Sequence, residues 1–537
     1  MKFLSSYLYL VPYFLLLILF PIPLWNGFAL WWNHQTIFKF TVFAICILIR
    51  IGSEYGNKYK PIRILIQNIS FLFLLLFLLY ERKFQVSVSF SLFSYFIIHI
   101  SYLWNDFVFQ IKELPFGIHL IFFSYFLFSS FPFFKRKNLS FLFLGILILL
   151  LVFTSLQNPE RKVSNRTVFD SKPNIDFTIP KLSKDTDIVV FFLEGVGKKD
   201  LNLNRSQNFS KKNPVWEVDH FYISVPHSSK SIFTALTGVT QIRETRPNLN
   251  PLHLSASLPK ILERNGYETI FLFSQPSVFE NIDEMAKRLF QIHYDKEKLK
   301  SKLNSRYSEF SWGLDDRSLL DFVKKYLPDF ERPMFLWVGF SNTHSPYFVS
   351  DSNPFPAENS SDPHSRFLSA LQFNLSLVDE MINEITKKRG RDTLFILTSD
   401  HGESFGERGF FGHNYSVYNS ETLVPFMIRY TKSNERKHFP VGSLSDFKTS
   451  LLALFDFPDV GIREEKNFFN KEYKIEHKFK SWNSDSYMGY LEGEKKWIYH
   501  SQSDRLFLTN WDETVETELM NRKDKSDFFK RFHKEDP

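Results

Sequence analysis

The sequence has 537 residues, of which 44% are hydrophobic and 63 are phenylalanine, and its formal net charge is +7. This length has room for roughly two or three domains, and the small positive excess suits an anionic substrate or an anionic membrane surface. No run of lysine and arginine is long enough to favour nucleic-acid binding, and the single cysteine, Cys46, excludes an internal disulfide.

Residues 1–156 are a series of apolar segments separated by short polar joints. Segments of this kind are typical of membrane-spanning helices, which need roughly 17–25 residues. The predicted spans are 4–24, 36–51, 64–80, 117–134 and 139–156. A sixth segment, 86–104, is rich in serine and is a weaker candidate, so we predict a transmembrane bundle of about five spans.

Two basic joints predict how this bundle is oriented. They contain Lys58, Lys60 and Arg63 in one case and Lys135, Arg136 and Lys137 in the other. The positive-inside rule places both joints in the cytoplasm, so residues after 156 are expected to be extracytoplasmic. The bundle is either a simple anchor or a structure that also holds a lipid substrate, and the sequence leaves both interpretations open.

Residues 157–185 have the polar, proline-containing composition of a linker, and 186–537 are predicted to form a folded domain. In this domain, apolar runs of strand length alternate with amphipathic helical segments. The runs are DIVVFFLE, ETIFLF, PMFLWVGF, TLFILTSD and VPFMIRY. The alternation predicts an α/β fold with a largely parallel central sheet. YMGYLEGEKKWIYHS and DRLFLTNWD predict a small antiparallel subdomain near the C-terminus.

Polar residues follow several predicted strands at the point where each strand ends. Glu194 ends the first run, and Asp400 and His401 end the fourth. Because ligands of doubly wound folds bind at the carboxyl ends of the strands, we expect these side chains to converge. Two carboxylates and an imidazole, with one position left for a hydroxyl, suit one divalent metal ion, Zn²⁺ or Mn²⁺, with Mg²⁺ or Ca²⁺ as alternatives.

The stretch VPHSSKSIFTALTG, residues 225–238, supplies the hydroxyl. It places Ser228 or Ser229 at the start of a predicted helix, where backbone N–H groups and the helix dipole favour an anion. A serine at this position is more often a helix cap than a nucleophile. Together with the acidic cluster, however, Ser228 is predicted to be the fourth metal ligand and the nucleophile, because coordination lowers the pKa of a hydroxyl.

The motifs follow in the order LEG, PHSSKS with LTG, THSPY, TSDHGE, and GHNYSVYN with VPF. This order resembles the sulfatase-like branch of the alkaline phosphatase superfamily. The apolar N-terminal segments are similar to those of lipoteichoic acid synthases and phosphoethanolamine transferases. The resemblance implies a multi-pass anchor, an extracytoplasmic alkaline-phosphatase-like α/β domain, the metal ligands Glu194, Asp400 and His401, and Ser228 as the metal-bound nucleophile.

The resemblance also implies roles for residues around this cluster. His344 matches a histidine that binds a phosphate oxygen or protonates the leaving group, and His413 matches one that contacts the transferred group. Lys230 falls where a cation could stabilise equatorial phosphoryl oxygens. Trp312 and Asp315 match a stretch bordering the substrate cleft, or alternatively are a packed aromatic residue and a helix cap.

The sequence departs from sulfatases at two points. Their nucleophile is followed by Pro at the second position and Arg at the fourth, whereas Ser228 is followed by Lys230 and Ile232. In sulfatases this Pro and Arg are the signal for converting the nucleophile to formylglycine, so that conversion is not expected here. An unmodified hydroxyl favours phosphoryl chemistry over sulfate-ester hydrolysis. In addition, Gly195 stands where sulfatases have a second acid after Glu194, which favours a one-metal site.

We therefore expect an enzyme that transfers a phospho-substituent, such as phosphoethanolamine or phosphoglycerol, from a membrane phospholipid. The acceptor is expected to be a glycan, lipid or polymer of the cell envelope. A phosphodiesterase or phosphatase, a sulfatase, and a non-catalytic membrane binding module are the alternatives. The absence of disulfides makes the phosphoethanolamine transferases that act on lipid A a poorer match, and the sequence does not indicate an oligomeric state.

Overall fold

The structure is a computed structural model that describes residues 179, 181–201, 206–210, 213–241, 249–277, 279–304, 307–310, 312–327, 331–457, 461–482, 487–501 and 503–534. All of them belong to the second of two units of the chain, Asn165–Pro537. The predicted membrane spans, their basic joints and most of the predicted linker lie outside the described residues and stay predictions. Among the helices in the described ranges, none is both long and apolar enough to cross a membrane.

Strands and helices alternate through most of the described chain. The strands are β1 (Asp187–Leu193), β2 (Trp216–Tyr222), β3 (Glu268–Phe273), β4 (Ile292–Tyr294), β5 (Glu309–Phe310), β6 (Gly313–Leu314), β7 (Met334–Gly339), β8 (Thr393–Ser399), β9 (Ser404–Phe405), β10 (Phe411–Gly412), β11 (Leu423–Val424), β12 (Phe426–Tyr430), β13 (Lys437–Ser443), β14 (Glu476–Lys480), β15 (Tyr487–Glu492), β16 (Lys495–His500), β17 (Arg505–Asn510) and β18 (Glu516–Leu519). The helices are α1 (Ser228–Thr237), α2 (Pro251–Ser255), α3 (Leu258–Arg264), α4 (Ile282–Leu289), α5 (Lys296–Leu303), α6 (Arg317–Tyr326), α7 (Pro363–Arg389), α8 (Asn419–Thr422), α9 (Phe447–Ala453) and α10 (Arg522–His533).

The central sheet is mixed and mostly parallel, as the alternating pattern predicts. Strands β2, β12, β8, β1, β7, β3 and β4 are neighbours in that order, and β11 and β13 also pair with β2. Only the pairings of β11 and β12 within this sheet are antiparallel. The chain enters β11 from the same edge of the sheet at which it leaves β8. Strands β11 and β12 therefore run in the direction opposite to β8.

Helices cover both faces of this sheet, which explains why its strands are continuous apolar runs. All seven residues of β1 are buried. Ile188, Val190 and Phe192 belong to one hydrophobic core, and Val189, Phe191 and Leu193 belong to the core on the opposite face. Helix α1 contributes to the first core and α7 to the second.

The C-terminal region forms the predicted antiparallel subdomain, with five strands in the order β14 to β18. Helix α10 packs on it through Phe528 and Phe532. No apolar run in the sequence predicts β2, β13 or β14. Charged residues at partly buried positions interrupt the apolar pattern of β2, and Pro440 lies within β13.

Candidate active site

The register of two parallel strands brings the first two candidate ligands together. In the pairing of β1 with β8, Leu193 lies opposite Ser399. The residues that follow them, Glu194 and Asp400, therefore leave the carboxyl edge of the sheet side by side. Strand β7 pairs with the other side of β1 and leads, past Gly339, into the segment that contains His344.

Tight turns after these strands orient the two acids. Gly195 has φ +66°, a conformation that side chains disfavour, and its N–H donates to Asp400 Oδ1 at 2.9 Å. The N–H of His401 donates to the same oxygen at 2.7 Å. At Gly402, a Cβ atom would lie only 2.2 Å from the carbonyl oxygen of Ser420. Glycine thus allows the close backbone approach that directs Asp400 Oδ2 and His401 into one cluster.

The ligand atoms of Glu194, Asp400 and His401 all lie within 4.8 Å of one another, and all three residues are buried. His401 Nε2 is 3.3 Å from Glu194 Oε1 and 3.4 Å from Asp400 Oδ2. His401 Nδ1 lies 3.1 Å from the carbonyl oxygen of Gly402, to which it donates. In the neutral form of this ring the lone pair therefore falls on Nε2, the nitrogen that faces the carboxylates, as a metal-binding histidine requires.

The electrostatics of the cluster also suit a cation. Burial and the charge of Glu194 raise the pKa of Asp400 to about 8. Burial alone would lower the pKa of His401, but the charges of Asp400 and Glu194 raise it to about 10. Burial likewise opposes ionisation of Glu194, yet its hydrogen bond with His401 lowers its pKa. A divalent cation at this position would favour the ionised carboxylates and the neutral imidazole, and two carboxylates with one imidazole are a donor set that fits such an ion.

Only one of the two candidate serines faces this cluster. Helix α1 begins at Ser228, whose hydroxyl donates to Glu194 Oε1 at 3.2 Å and lies 3.3 Å from His401 Nε2. The hydroxyl of Ser229 donates instead to Glu280 and is 3.3 Å from His227 Nδ1. The geometry thus brings Ser228 together with the predicted ligands, although its role as nucleophile stays a prediction.

His413 lies beside the cluster. Its ring stacks on that of His401 with centroids 3.9 Å apart, and its Nδ1 lies 2.7 Å from Glu403 Oε2. The other oxygen of Glu403 accepts a hydrogen bond from the hydroxyl of Tyr347 at 2.7 Å. Burial and the neighbouring His401 lower the pKa of His413. Burial raises the pKa of Glu403 but interaction with His413 outweighs it, so an ionised Glu403 orients the ring of His413.

His344 completes a group of three neighbouring histidines, with its ring 5.8 Å from that of His413. Its Nδ1 donates to the carbonyl oxygen of Ser345 at 2.8 Å, so Nε2 is the nitrogen left to exchange a proton. Trp312, which is 7% exposed, packs its ring 4.6 Å from that of His344. Trp312 therefore supports His344 directly.

The acidic pair after Trp312 has structural contacts. Asp315 Oδ1 accepts the N–H of Arg317 at 3.0 Å, which is the geometry of a local cap. The next residue, Asp316, is fully buried and accepts the N–H groups of Ser341 and Asn342 at 3.0 and 2.8 Å. Asp316, which was not among the predicted site residues, thus holds the turn that precedes His344.

Lys230 is 1% exposed, and its ammonium lies 4.6 Å from the centre of the Trp482 ring. Lys230 was predicted to lie at the site, whereas Trp482 and two other neighbours of the site were not. Gln275 donates to Glu194 Oε2 at 2.6 Å, and Thr343 donates to the carbonyl oxygen of Glu194 at 2.5 Å. Gln275 follows β3, so the strand-end rule that selected Glu194 could have found it, whereas no sequence signal pointed to Trp482.

Comparisons with known proteins agree with this fold. The family model described as Sulfatase matches residues 186–457. The protein named "Uncharacterized sulfatase YidJ" of Escherichia coli strain K12 is 24% identical over 198 residues, which is 35% of this chain and 35% of that protein. The matched region therefore spans about a third of the length of this curated relative.

Several solved structures can be aligned with this chain. An alkaline phosphatase superfamily protein from Vibrio parahaemolyticus has 16% identity and a TM-score of 0.49, covering 68% of this chain and 91% of that one. The lipoteichoic acid synthase LtaP from Listeria monocytogenes has 15% identity and a TM-score of 0.48, covering 65% and 89%. The periplasmic domain of EcEptC from Escherichia coli has 15% identity and a TM-score of 0.42, covering 57% and 91%. Since the family model matches just over half of the chain, the protein belongs to the sulfatase family and is an enzyme of the sulfatase-like type.

Proposed function

We propose that this enzyme transfers a phospho-substituent through a covalent intermediate on Ser228. One observation carries the proposal: the Ser228 hydroxyl, at the N-terminus of a helix, lies within hydrogen-bond distance of both Glu194 and His401. Because Lys230 and Ile232 replace the Pro and Arg of the sulfatase modification signal, this hydroxyl is expected to remain unmodified. A serine hydroxyl favours phosphoryl transfer over sulfate-ester hydrolysis.

Glu194, Asp400, His401 and Ser228 would hold one divalent metal ion. When bound, Zn²⁺ or Mn²⁺, with Mg²⁺ or Ca²⁺ as alternatives, would supply positive charge that favours the ionised form of a coordinated hydroxyl. Gln275 donates to Glu194 Oε2, and backbone N–H groups donate to Asp400 Oδ1. These hydrogen bonds hold both carboxylates in place and leave Asp400 Oδ2 for the ion.

The reaction proceeds in two displacements. In the first, Ser228 Oγ, which has already lost its proton to solvent, attacks phosphorus in line, and the bond from phosphorus to the donor's alkoxyl oxygen breaks as the new bond forms. Protonated His344 donates its Nε2 proton to that leaving oxygen. Lys230 and His413 stabilise the non-bridging oxygens, His413 in its protonated form with the Glu403 carboxylate balancing its charge. In the second, an acceptor hydroxyl loses its proton to His344 and attacks the phosphoserine, which releases Ser228.

The donor is proposed to be a phospholipid, with phosphoethanolamine or phosphoglycerol as the transferred group. The acceptor is a glycan, lipid or polymer of the cell envelope. This part of the proposal rests on the apolar segments of residues 1–156 and on their basic joints, which favour a multi-pass protein with an extracytoplasmic catalytic domain. If water takes the place of the acceptor, the same residues hydrolyse the donor, so a phosphodiesterase or phosphatase is the second candidate. Sulfate-ester hydrolysis, favoured by membership of the family, is the third.

The decisive test is to incubate the membrane-embedded protein with isotopically labelled phospholipids and to search its peptides by mass spectrometry. A labelled phospho-adduct on Ser228 is expected. An adduct on Ser229 would overturn the choice of nucleophile. Cleavage of sulfate esters, with no adduct from any phospholipid, would overturn the phosphoryl reaction.

Replacing His344 with asparagine should slow transfer from an alkyl phosphodiester by about 10²–10³-fold, because no side chain then protonates the leaving alkoxide. A para-nitrophenyl phosphodiester has a leaving group that departs without a proton, so the variant should lose much less with it. Leaving-group release in the first turnover with each substrate measures this difference, because the second displacement also uses His344. Equal losses with both would rule out leaving-group protonation by His344.

The Glu403→Gln variant is expected to lower kcat by about 10–100-fold, because it removes the carboxylate that orients the His413 ring. Tyr347→Phe is the matched control, since it removes only the hydrogen bond to the other oxygen of Glu403. Its effect on kcat should be several-fold smaller. Steady-state kinetics and thermal unfolding of both variants provide the comparison, and similar kcat values for the two would argue against this role of Glu403.

A further inference from the structure

Lys230 and Trp482 form a cation–aromatic pair close to the proposed nucleophile. Lys230 lies in the first turn of α1, two residues after Ser228. Its ammonium lies 4.6 Å from the centre of the Trp482 ring. An aromatic face attracts an ammonium group without neutralising its charge as a carboxylate would. Such a partner can therefore orient a lysine that must still attract an anion.

Trp482 comes from a distant part of the chain. It follows β14 in the C-terminal subdomain and lies beyond residue 457, the last one that the family model matches. Its backbone N–H donates to the carbonyl oxygen of Asn414 at 3.1 Å, and Asn414 is the residue after His413. The N–H of Lys480 donates to Ser224 at 2.9 Å, in the segment that leads into α1.

The Trp482 ring is thus anchored between the two segments that carry the site. It meets the ring of His227, the residue before Ser228, edge to face at 5.3 Å. A chain of direct contacts or adjacent residues connects Ser228, His401, His413, Asn414, Trp482 and Lys230. These contacts link the Lys230 ammonium group to the segment that carries His413 and, through His401, to the Ser228 hydroxyl.

We propose that Trp482 is a positioning residue, which holds the Lys230 ammonium where it binds a non-bridging oxygen of the transferred phosphoryl group. The inference rests on the proposed function, because it assigns Lys230 to the group that Ser228 receives. The lysine side chain is long and flexible, and the entropy lost on ordering it would otherwise weaken binding of the oxyanion. The C-terminal subdomain thereby completes the site.

The test measures binding of inorganic phosphate to the metal-loaded, full-length protein by isothermal titration calorimetry. Lys230→Met and Trp482→Leu are each expected to weaken binding by about tenfold, as for loss of one charged hydrogen bond. The double variant should be no weaker than Lys230→Met alone, because both changes remove the same interaction. Trp482→Phe, which keeps an aromatic face, should recover most of the affinity.

Trp497→Leu is the matched control, since Trp497 lies in β16 of the same subdomain and packs near Tyr490 and Arg531. It should leave phosphate affinity unchanged, and thermal unfolding checks that each variant is folded. Three results would overturn the inference: wild-type affinity in Trp482→Leu, additive losses in the double variant, or no phosphate binding by the wild-type protein.

The Ser228 adduct, measured on the same preparations, separates this inference from the proposed function. Absence of an adduct in the wild-type protein counts against the proposed transfer reaction, while the dependence of phosphate binding on Trp482 still supports the positioning role. Equal rates of adduct formation in the wild-type protein and Trp482→Leu, together with equal phosphate affinities, count against the positioning role alone.

Discussion

Replacing Ser228 with alanine is expected to lower the rate of phospho-transfer by at least about 10⁴-fold and to eliminate the covalent adduct. Alanine has no atom that can attack phosphorus, whereas Glu194, Asp400 and His401 remain in place. The loss should therefore appear in kcat, while the protein keeps most of its capacity to bind a divalent metal ion. Transfer rates, adduct mass spectrometry and bound-metal content together test this expectation.

Ser229→Ala is the matched control, because the two serines are adjacent and differ in the direction of their hydroxyls. Ser229 donates to Glu280, on a different side of the helix terminus from the acidic cluster. The control is expected to retain the adduct and to lose about 1–3 kcal/mol of stability, since a buried carboxylate oxygen loses its donor. Retention of the adduct in Ser228→Ala, with its loss in Ser229→Ala, would reverse the assignment.

Asp400→Asn is expected to have opposite effects on metal binding and on the stability of the metal-free protein. The amide keeps an oxygen for the N–H groups of Gly195 and His401 but loses the negative charge that attracts a cation. Metal content after dialysis and transfer activity should both fall to near background. At neutral pH the metal-free variant should unfold at a higher temperature than the metal-free wild-type protein. Burial and the charge of Glu194 raise the pKa of Asp400, so the wild-type protein must take up a proton to fold, whereas asparagine needs none.

Atomic emission analysis of bound metal and thermal unfolding in a chelator measure these two effects. Asp315→Asn is the control, since Asp315 is also a buried acid but accepts hydrogen bonds from the N–H of Arg317 and the hydroxyl of Ser350, which lie outside the acidic cluster. It should keep wild-type metal content. Full metal content and full activity in Asp400→Asn would show that the acidic cluster does not hold the ion.

Apolar runs of strand length indicated buried strands because a strand that is covered on both faces of its sheet has apolar side chains at nearly every position. The ends of β1 and β8 then selected Glu194 and Asp400, since parallel neighbours in register must end at the same edge. The apolar pattern did not predict β2, because Glu217 and Asp219 in this strand are only partly buried and keep their charges near solvent.

The sequence by itself determined the α/β class, the C-terminal antiparallel subdomain and the acidic residues at the strand ends. Only the tertiary structure showed which of Ser228 and Ser229 faces the acidic cluster, because neighbouring residues in the first turn of a helix point in different directions and packing sets which one faces β1 and β8. It also brought Trp482 to Lys230. These two residues are about 250 positions apart, and their contact depends on how helix α1 packs against the C-terminal subdomain. The sequence around either residue does not contain that information.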